Sequence, residues 1–173
     1  NIFGDNNISN AILTTAVPNG KEADYTKSSM GNNINISKVT LRTDRYTSFT
    51  FLHDATIPNH VGVYIAECNN ASEVQLTKVN HEQPDFKVKA GEGFLLKTDE
   101  FDTNATKEYS FVSTNGVDGE SFAEKNHLIG ITDDKTFTGE EQAYVLQTRE
   151  NVQKFYHAGN GLTLAMCKAY LDG

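Results

Sequence analysis

Short runs of β-branched and aromatic residues, repeated along the chain, most constrain how this sequence can fold. Apolar residues at helical spacing are scarce, whereas strand-like runs recur about every 10 to 15 residues, a spacing typical of antiparallel sandwiches. The sequence therefore predicts an all-β fold: an antiparallel β-sandwich, jelly-roll-like or Ig-like, with at most one short helix. The predicted strands are 33–43, 46–53, 61–68, 73–79, 93–98, 108–114, 142–148, 152–158 and 167–173.

Two segments depart from this pattern. The stretch "DGESFAEKNHL" (118–128) is short and weakly amphipathic, and it is the one predicted helix. The first 30 residues contain few large apolar side chains outside "AILTTAV". We therefore predict that residues 1–45 form an N-terminal strand and loop extension packed on the domain, and that residues 46–173 form the sandwich module.

The stretch "VKAGEGFLLKTDE" (88–100) places two glycines before an apolar run. A phosphate-binding loop needs a glycine run that leads into a helix, and a nucleophile elbow needs Gly-x-Ser-x-Gly. Neither pattern is present, and the residues after the glycines are typical of a strand. The prediction is a turn that leads into a buried strand. Val88, Phe94 and Leu96 are expected to pack against Val63, Ile65 and Leu76.

The charge and apolar content of the chain exclude several kinds of partner. The net charge is −8, and an acidic surface repels phosphate backbones, so no nucleic-acid partner is predicted. No apolar run approaches the roughly 20 residues that span a bilayer, so the chain is not predicted to be transmembrane. The chain begins at Asn1 and shows no signal peptide, which indicates a mature or excised segment, and we expect it to be part of a larger polypeptide.

The spacing of the cysteines and histidines does not indicate a metal site. Cys68 and Cys167 lie in apolar, strand-like runs, which favours two small buried side chains; a disulfide between them and a reactive thiol are the alternatives. No two of the five histidines have the spacing of metal ligands. Ser, His and Asp occur without any local signature of a hydrolase.

Two acidic loops offer oxygen ligands. "TDEFDTNAT" carries Asp99, Asp102 and Asn104, and "TDDKTFTGEE" carries Asp133 and Asp134. The ordinary interpretation is a set of solvated loop acids. Neither loop has the Asp-x-Asp-x-Asp-Gly order of a helix-flanked calcium loop, so no cofactor is predicted, and a structural calcium ion is left open.

The aromatic content of the chain is compatible with a carbohydrate-binding surface. The chain has seven Tyr, ten Phe and no Trp, and exposed Trp faces often form such surfaces. A tyrosine platform is the remaining route, although a strand residue with a solvated hydroxyl is the ordinary interpretation of each tyrosine. The candidates are Tyr25, Tyr46, Tyr64, Tyr109 and Tyr156.

Three stretches in order carry a resemblance: "YTSFTFLHDATIPNHVGVYIAE" (46–67), "VQLTKV" followed by "VKAGEGFLLK" (74–97), and "NHLIG" followed by "AYVLQTRENVQKFYHAGNGLTLAMCKAYLDG" (126–173). This series resembles a module common in secreted and cell-surface proteins of gut-type anaerobic Gram-negative bacteria. The likeness covers residues 46–173. The chain departs from the module's pattern at "LAMCKAYL" and carries an insert around 99–124.

The resemblance implies a non-catalytic, all-β accessory module of a larger surface protein or polysaccharide-degrading enzyme, and it supplies no catalytic residues. We therefore expect a secreted or cell-surface binding module whose ligand is a glycan. The alternatives are a structural spacer or protein-interaction and adhesion domain, and then a glycoside-active enzyme. The predicted ligand-binding residues lie in loops: Tyr25, Asp99, Asp102, Asn104, Tyr109, Asp133 and Asp134.

Overall fold

The computed structural model describes residues 11–13, 22–27, 32–70, 73–81, 85–102, 105–114 and 119–173, which form strands and no helix. The all-β prediction is confirmed. In chain order the strands are β1 (Ala11–Leu13), β2 (Glu22–Lys27), β3 (Asn32–Arg42), β4 (Thr47–Thr50), β5 (Ala55–Thr56), β6 (Val61–Asn70), β7 (Glu73–Lys78), β8 (Lys87–Val88), β9 (Gly93–Thr98), β10 (Thr106–Thr114), β11 (Leu128–Gly130), β12 (Lys135–Thr136), β13 (Ala143–Arg149), β14 (Val152–His157), β15 (Thr163–Leu164) and β16 (Ala169–Asp172).

The strands form four antiparallel sheets. Sheet I has the order β1-β2-β3-β10-β5-β8, and sheet II has the order β4-β9-β6-β7. Sheet III has the order β11-β16-β13-β14, and sheet IV pairs β12 with β15. This arrangement confirms the predicted antiparallel, sandwich-like fold. Four of the strands have only two residues, which is too short to show any alternation in a sequence.

Strand β9 of sheet II is buried on both faces. Phe94 and Leu96 of β9 belong to the main core, which side chains of sheets I and II form together. Leu95, between them, points to the opposite face and joins a second cluster with Leu128 and Leu171 of sheet III. A third cluster around Phe137 fills the space between sheets III and IV. An unbroken apolar run in β9 therefore reflects a strand that is covered from both sides.

The predicted turn before β9 is confirmed. Gly91 has a φ of +83°, a conformation that glycine adopts without strain, and its N–H donates to the Phe51 carbonyl at 2.9 Å. Glycine is needed at position 93 for a different reason: a Cβ built there would lie 2.7 Å from the Cβ of Ala169 in sheet III. Val88, Phe94, Leu96, Val63 and Ile65 share the main core as predicted. The sixth, Leu76, packs instead in the second cluster.

The predicted helix at 118–128 is wrong for the part that the structure describes, 119–128. Its backbone amides bond to distant side chains: Gly119 N–H to Asp54 Oδ2 at 2.8 Å, and Phe122 N–H to Glu92 Oε1 at 2.8 Å. The side chain of buried Asn126 also donates to the Gly93 carbonyl at 2.6 Å. These long-range hydrogen bonds hold the segment as an irregular loop. They contribute more than the weak helical propensity of its sequence.

The cysteines do not form a disulfide. Cys167 is buried and Cys68 is half-buried. The interpretation as small buried side chains thus fits Cys167 better than Cys68. Cys167 precedes β16 and has a φ of +67°. The predicted boundary near residue 45 stays a prediction, and β3, which lies before it, contributes Val39 and Leu41 to the main core.

Replacing Gly93 by alanine tests the contact between sheets II and III. Besides the close approach to Ala169, the new Cβ would lie 3.0 Å from the backbone nitrogen of Gly130. We expect Gly93→Ala to lower the free energy of unfolding by about 1–3 kcal/mol, as overpacked sites do. Chemical denaturation measures it. Gly159→Ala, where a Cβ meets nothing within 4 Å, is the matched control. Equal stability of both variants would contradict the close approach.

Acid titration tests the bonds from Asp54. Burial acts to raise the pKa of Asp54, but bonds from the amides of Ala90 and Gly119 outweigh it, and the pKa is lowered. The stabilisation is therefore complete above the unfolded pKa, near 4, and is lost as the pH falls through the lower folded pKa.

We expect Asp54→Asn to lose about 1 kcal/mol at pH 7. Its deficit against the unaltered chain should shrink as the pH falls below 4. Thermal melts followed by circular dichroism measure both effects. Asp133→Asn, at an exposed residue, is the control. A deficit that stays constant from pH 7 to pH 3 would refute the role of the carboxylate.

Candidate functional site

One end of sheet II carries a cleft on the face that sheet III covers elsewhere. Strand alternation places Gly62, Tyr64 and Lys97 on this face, and β7 brings Lys78 opposite Tyr64. The volume of the cleft is about 300 Å³, at the lower end of the range for small-ligand pockets. We call it the polar cleft, and its lining residues are Thr43, Gly62, Tyr64, Lys78, Lys97, Thr98, Asp99, Phe101 and Asp102.

The floor of the polar cleft is aromatic. A Cβ at Gly62 would lie 2.8 Å from Cε1 of Tyr64, so the missing side chain leaves room for the tyrosine ring against β6. The ring of Tyr46 meets that of Tyr64 edge to face, with the centroids 5.1 Å apart. Lys97 Nζ lies 5.0 Å from the centroid of Tyr46. Burial, with smaller contributions from Tyr46 and Asp99, raises the pKa of Tyr64.

The acidic rim of the polar cleft follows the end of β9. The amide of Asp99 donates to the His60 carbonyl at 3.0 Å, and its carboxylate lies 3.2 Å from Nδ1 of the His60 ring. These two contacts tie the turn after β9 to the turn before β6. Both side chains are exposed, so the contact between the two side chains itself adds little stability. Its consequence is a fixed position for one carboxylate at the mouth of the cleft.

Tyr109 supports this rim from inside the protein. Its ring belongs to the main core, with 6% of the residue exposed. Its hydroxyl bonds with Thr98 Oγ1 at 2.6 Å and donates to Glu100 Oε2 at 2.5 Å. Lys107 Nζ donates to the same carboxyl group, and bonds from Lys107 and then Tyr109 hold the pKa of Glu100 below its ordinary value. Tyr109 therefore has a positioning role, and its ring face is not open to a ligand.

A second cleft, which we call the apolar cleft, lies between the same face of sheet II and strands β13 and β14. Its volume is about 330 Å³. The side chain of Gln153 closes one end by pairing with the backbone of Tyr46, at 2.8 Å to its N–H and 2.7 Å to its carbonyl. Because Tyr46 lines the apolar cleft and touches Tyr64, the two clefts are neighbours. The lining is Asp44, Tyr46, Val74, Leu76, Leu95, Leu146, Gln153, Lys154 and Phe155.

The predicted site residues separate into groups. Asp99 and Asp102 both line the polar cleft. Asp133 and Asp134 line neither cleft, and Asp134 Oδ1 accepts a bond from the amide of Met166 at 2.8 Å, which fixes a loop. The side chain of Tyr25 and all of Asn104 lie outside the described residues. The prediction that these residues bind a ligand stays a prediction.

Metal ligands do not cluster within the residues that the structure places. No group of three or more His, Cys, Asp or Glu side chains there could hold an ion. Asn104, the third oxygen donor of the first acidic loop, falls outside those residues. The arrangement on this face instead combines aromatic rings, carboxylates and ammonium groups, which can bind a polar ligand through stacking and hydrogen bonds.

Several residues of the polar cleft were not predicted as a site. Tyr46 and Tyr64 were among five candidate tyrosines, but Gly62, Lys78 and Lys97 carried no signal of their own. Gly62 and Lys97 lie between buried neighbours in the sequence, and Lys78 is the last residue of β7. Only the register between β6, β7 and β9 brings them together.

Replacing Gly62 by alanine tests how the floor is built. The new Cβ would displace the Tyr64 ring, which is the mobile end of its side chain. Alanine gains about 0.5–1 kcal/mol over glycine in a strand, which offsets lost ring contacts, so we expect little change in melting temperature. The ring-proton shifts of Tyr64 in NMR spectra should change, whereas Gly159→Ala should leave them in place. Unchanged shifts in Gly62→Ala would contradict this packing.

A scan against protein-family models finds no match to this chain, and neither do searches of the curated proteins and of the solved structures. No helix in the described ranges is long and apolar enough to cross a membrane. The likeness to a surface-protein module is therefore a resemblance of motifs alone.

Proposed function

We propose that this chain is a non-catalytic binding module of a larger secreted or cell-surface protein and that its ligand is a glycan. The observation that carries the proposal is the polar cleft, where the ring of Tyr64 lies beside side chains that can accept and donate hydrogen bonds. Asp99 and Asp102 are the acceptors, and Lys78 and Lys97 are the donors.

The chemistry of a sugar matches this arrangement. A pyranose ring has an apolar C–H face and a rim of hydroxyl groups that both donate and accept hydrogen bonds. The face can pack on Tyr64, since an aromatic ring offers a large and rigid apolar surface. The hydroxyls can donate to the two carboxylates and accept from the two ammonium groups. A few placed polar groups around an apolar floor are what ligand sites commonly show.

The cleft is held in shape before any ligand arrives. Asp99 is tied to His60 through both backbone and side chain, and Glu100 next to it is fixed by Lys107 and Tyr109. A site that is ordered in advance loses less conformational entropy on binding. This support favours recognition of a particular ligand at the rim after β9 over a chance group of surface charges.

The alternative is a structural or protein-interaction module, and the apolar cleft favours it. Val74, Leu76, Leu146 and Phe155 there form an opening that an apolar side chain of a partner protein could fill. We place this second because the apolar cleft offers fewer fixed polar groups. Experiments can distinguish the two functions, because they use different clefts on either side of Tyr46.

Affinity electrophoresis in gels that contain plant polysaccharides or mucin tests the glycan proposal. We expect retardation by at least one polysaccharide. Tyr64→Ala and Asp99→Asn should each weaken that binding about tenfold, the usual effect of losing one stacking or charged contact.

Matched controls separate the cleft from the rest of the surface. Tyr156→Ala removes a tyrosine of β14 that lines neither cleft, and Asp133→Asn removes an exposed acid. Both should bind like the unaltered chain. A lack of retardation by every polysaccharide would refute the glycan proposal. Glycan binding that is lost in Leu76→Ser but kept in Tyr64→Ala would move the site to the apolar cleft.

A further inference from the structure

The ammonium groups of two lysines, Lys78 and Lys97, line the polar cleft. Among the described residues, neither Lys78 nor Lys97 has a carboxylate within salt-bridge distance, and Lys97 Nζ lies over the ring of Tyr46. Both lysines are half-buried, and both line the same cleft.

The strand register places these lysines on either side of the aromatic floor. Lys78 of β7 stands opposite Tyr64, and Lys97 of β9 stands opposite Gly62. Strands are about 4.8 Å apart and residues rise about 3.4 Å along a strand, so the two Cα atoms are separated by about 12 Å. Both flexible four-carbon stems can therefore reach a group that lies over Tyr64.

From this geometry we infer that the polar cleft recognises an acidic sugar, a hexuronate residue whose carboxylate lies between Lys78 and Lys97. This inference rests on the proposed glycan-binding function and names the class of glycan. The sugar ring lies over Tyr64, and its hydroxyls on the far side donate to Asp99 and Asp102. Asp99 follows Lys97 by two residues at the end of β9, so this carboxylate lies beyond Lys97 as seen from Lys78.

The acidic rim does not cancel the attraction. The carboxylate of Asp99 is turned toward His60, at 3.2 Å from the ring nitrogen, and is 71% exposed, so solvent screens its repulsion of a second anion. Lys78 and Lys97 are half-buried and lie on the sheet itself, where less water intervenes. An anion at the lysine end of the cleft thus meets the stronger interaction.

Four acidic polysaccharides serve as probes: polygalacturonate, alginate, glucuronoxylan and hyaluronan. Each is compared with its carboxyl-reduced form, in which a primary alcohol replaces the carboxylate and the charge is lost. We expect at least one native polymer to bind about tenfold more tightly than its reduced form, because a hydrogen bond between charged groups becomes one with a neutral oxygen. Raising the salt concentration should weaken binding of the native polymer alone.

Variants of the lysines locate the effect. Lys78→Gln and Lys97→Gln keep most of the side-chain length, and each should lower affinity for the native polymer about tenfold. Affinity for the reduced form should change much less, because the glutamine amide can still donate to a neutral oxygen. Lys125→Gln, at an exposed lysine outside both clefts, is the control, and thermal melts confirm folding. Equal binding of native and reduced polymers, or lysine variants without effect, overturns the inference and leaves glycan binding standing. Binding to no polysaccharide at all overturns both.

Discussion

The burial of β9 on both faces is the constraint on which the rest of this structure depends. Phe94 and Leu96 face the main core, and Leu95 faces sheet III. A strand with apolar side chains in both directions needs a layer on each side, because exposing either face leaves large apolar areas in water. Sheet I supplies one layer and sheet III the other, so the two-layer sandwich gains further layers from the residues after 126.

The same constraint determines where a ligand can reach sheet II. On the face toward sheet III, β9 changes from Leu95 to Lys97, and β7 changes from Leu76 to Lys78. In β9 the change falls between the levels of Tyr64 and Gly62, and in β7 it falls two residues earlier along β6, between the levels of Ala66 and Tyr64. These changes mark where the cover of sheet III ends. The polar cleft occupies the uncovered end, so its aromatic floor continues directly from the apolar core.

Sequence patterns predicted the strands whose side chains alternate or are apolar throughout; β9 was predicted with its observed bounds, Gly93–Thr98. Patterns did not predict two-residue strands such as β5 and β8, because so short a run has no period. The acidic loop was predicted as a candidate site, and Asp99 and Asp102 do line the polar cleft. The lysines were beyond prediction, because only the pairing of three strands makes them neighbours.

The failed helix prediction and the position of the polar cleft have one physical cause. Asn126 Oδ1 accepts bonds from the amides of Ala66 and Leu128, and its Nδ2 donates to the carbonyl of Gly93. The amide of His127 donates to the Ala66 carbonyl at 2.7 Å. These bonds attach the chain to sheet II just before β11 begins, and they exclude a helix there. Because sheet III starts from this attachment at Ala66, its cover lies toward that end of β6. The opposite end of β6, at Gly62, is left open to a ligand.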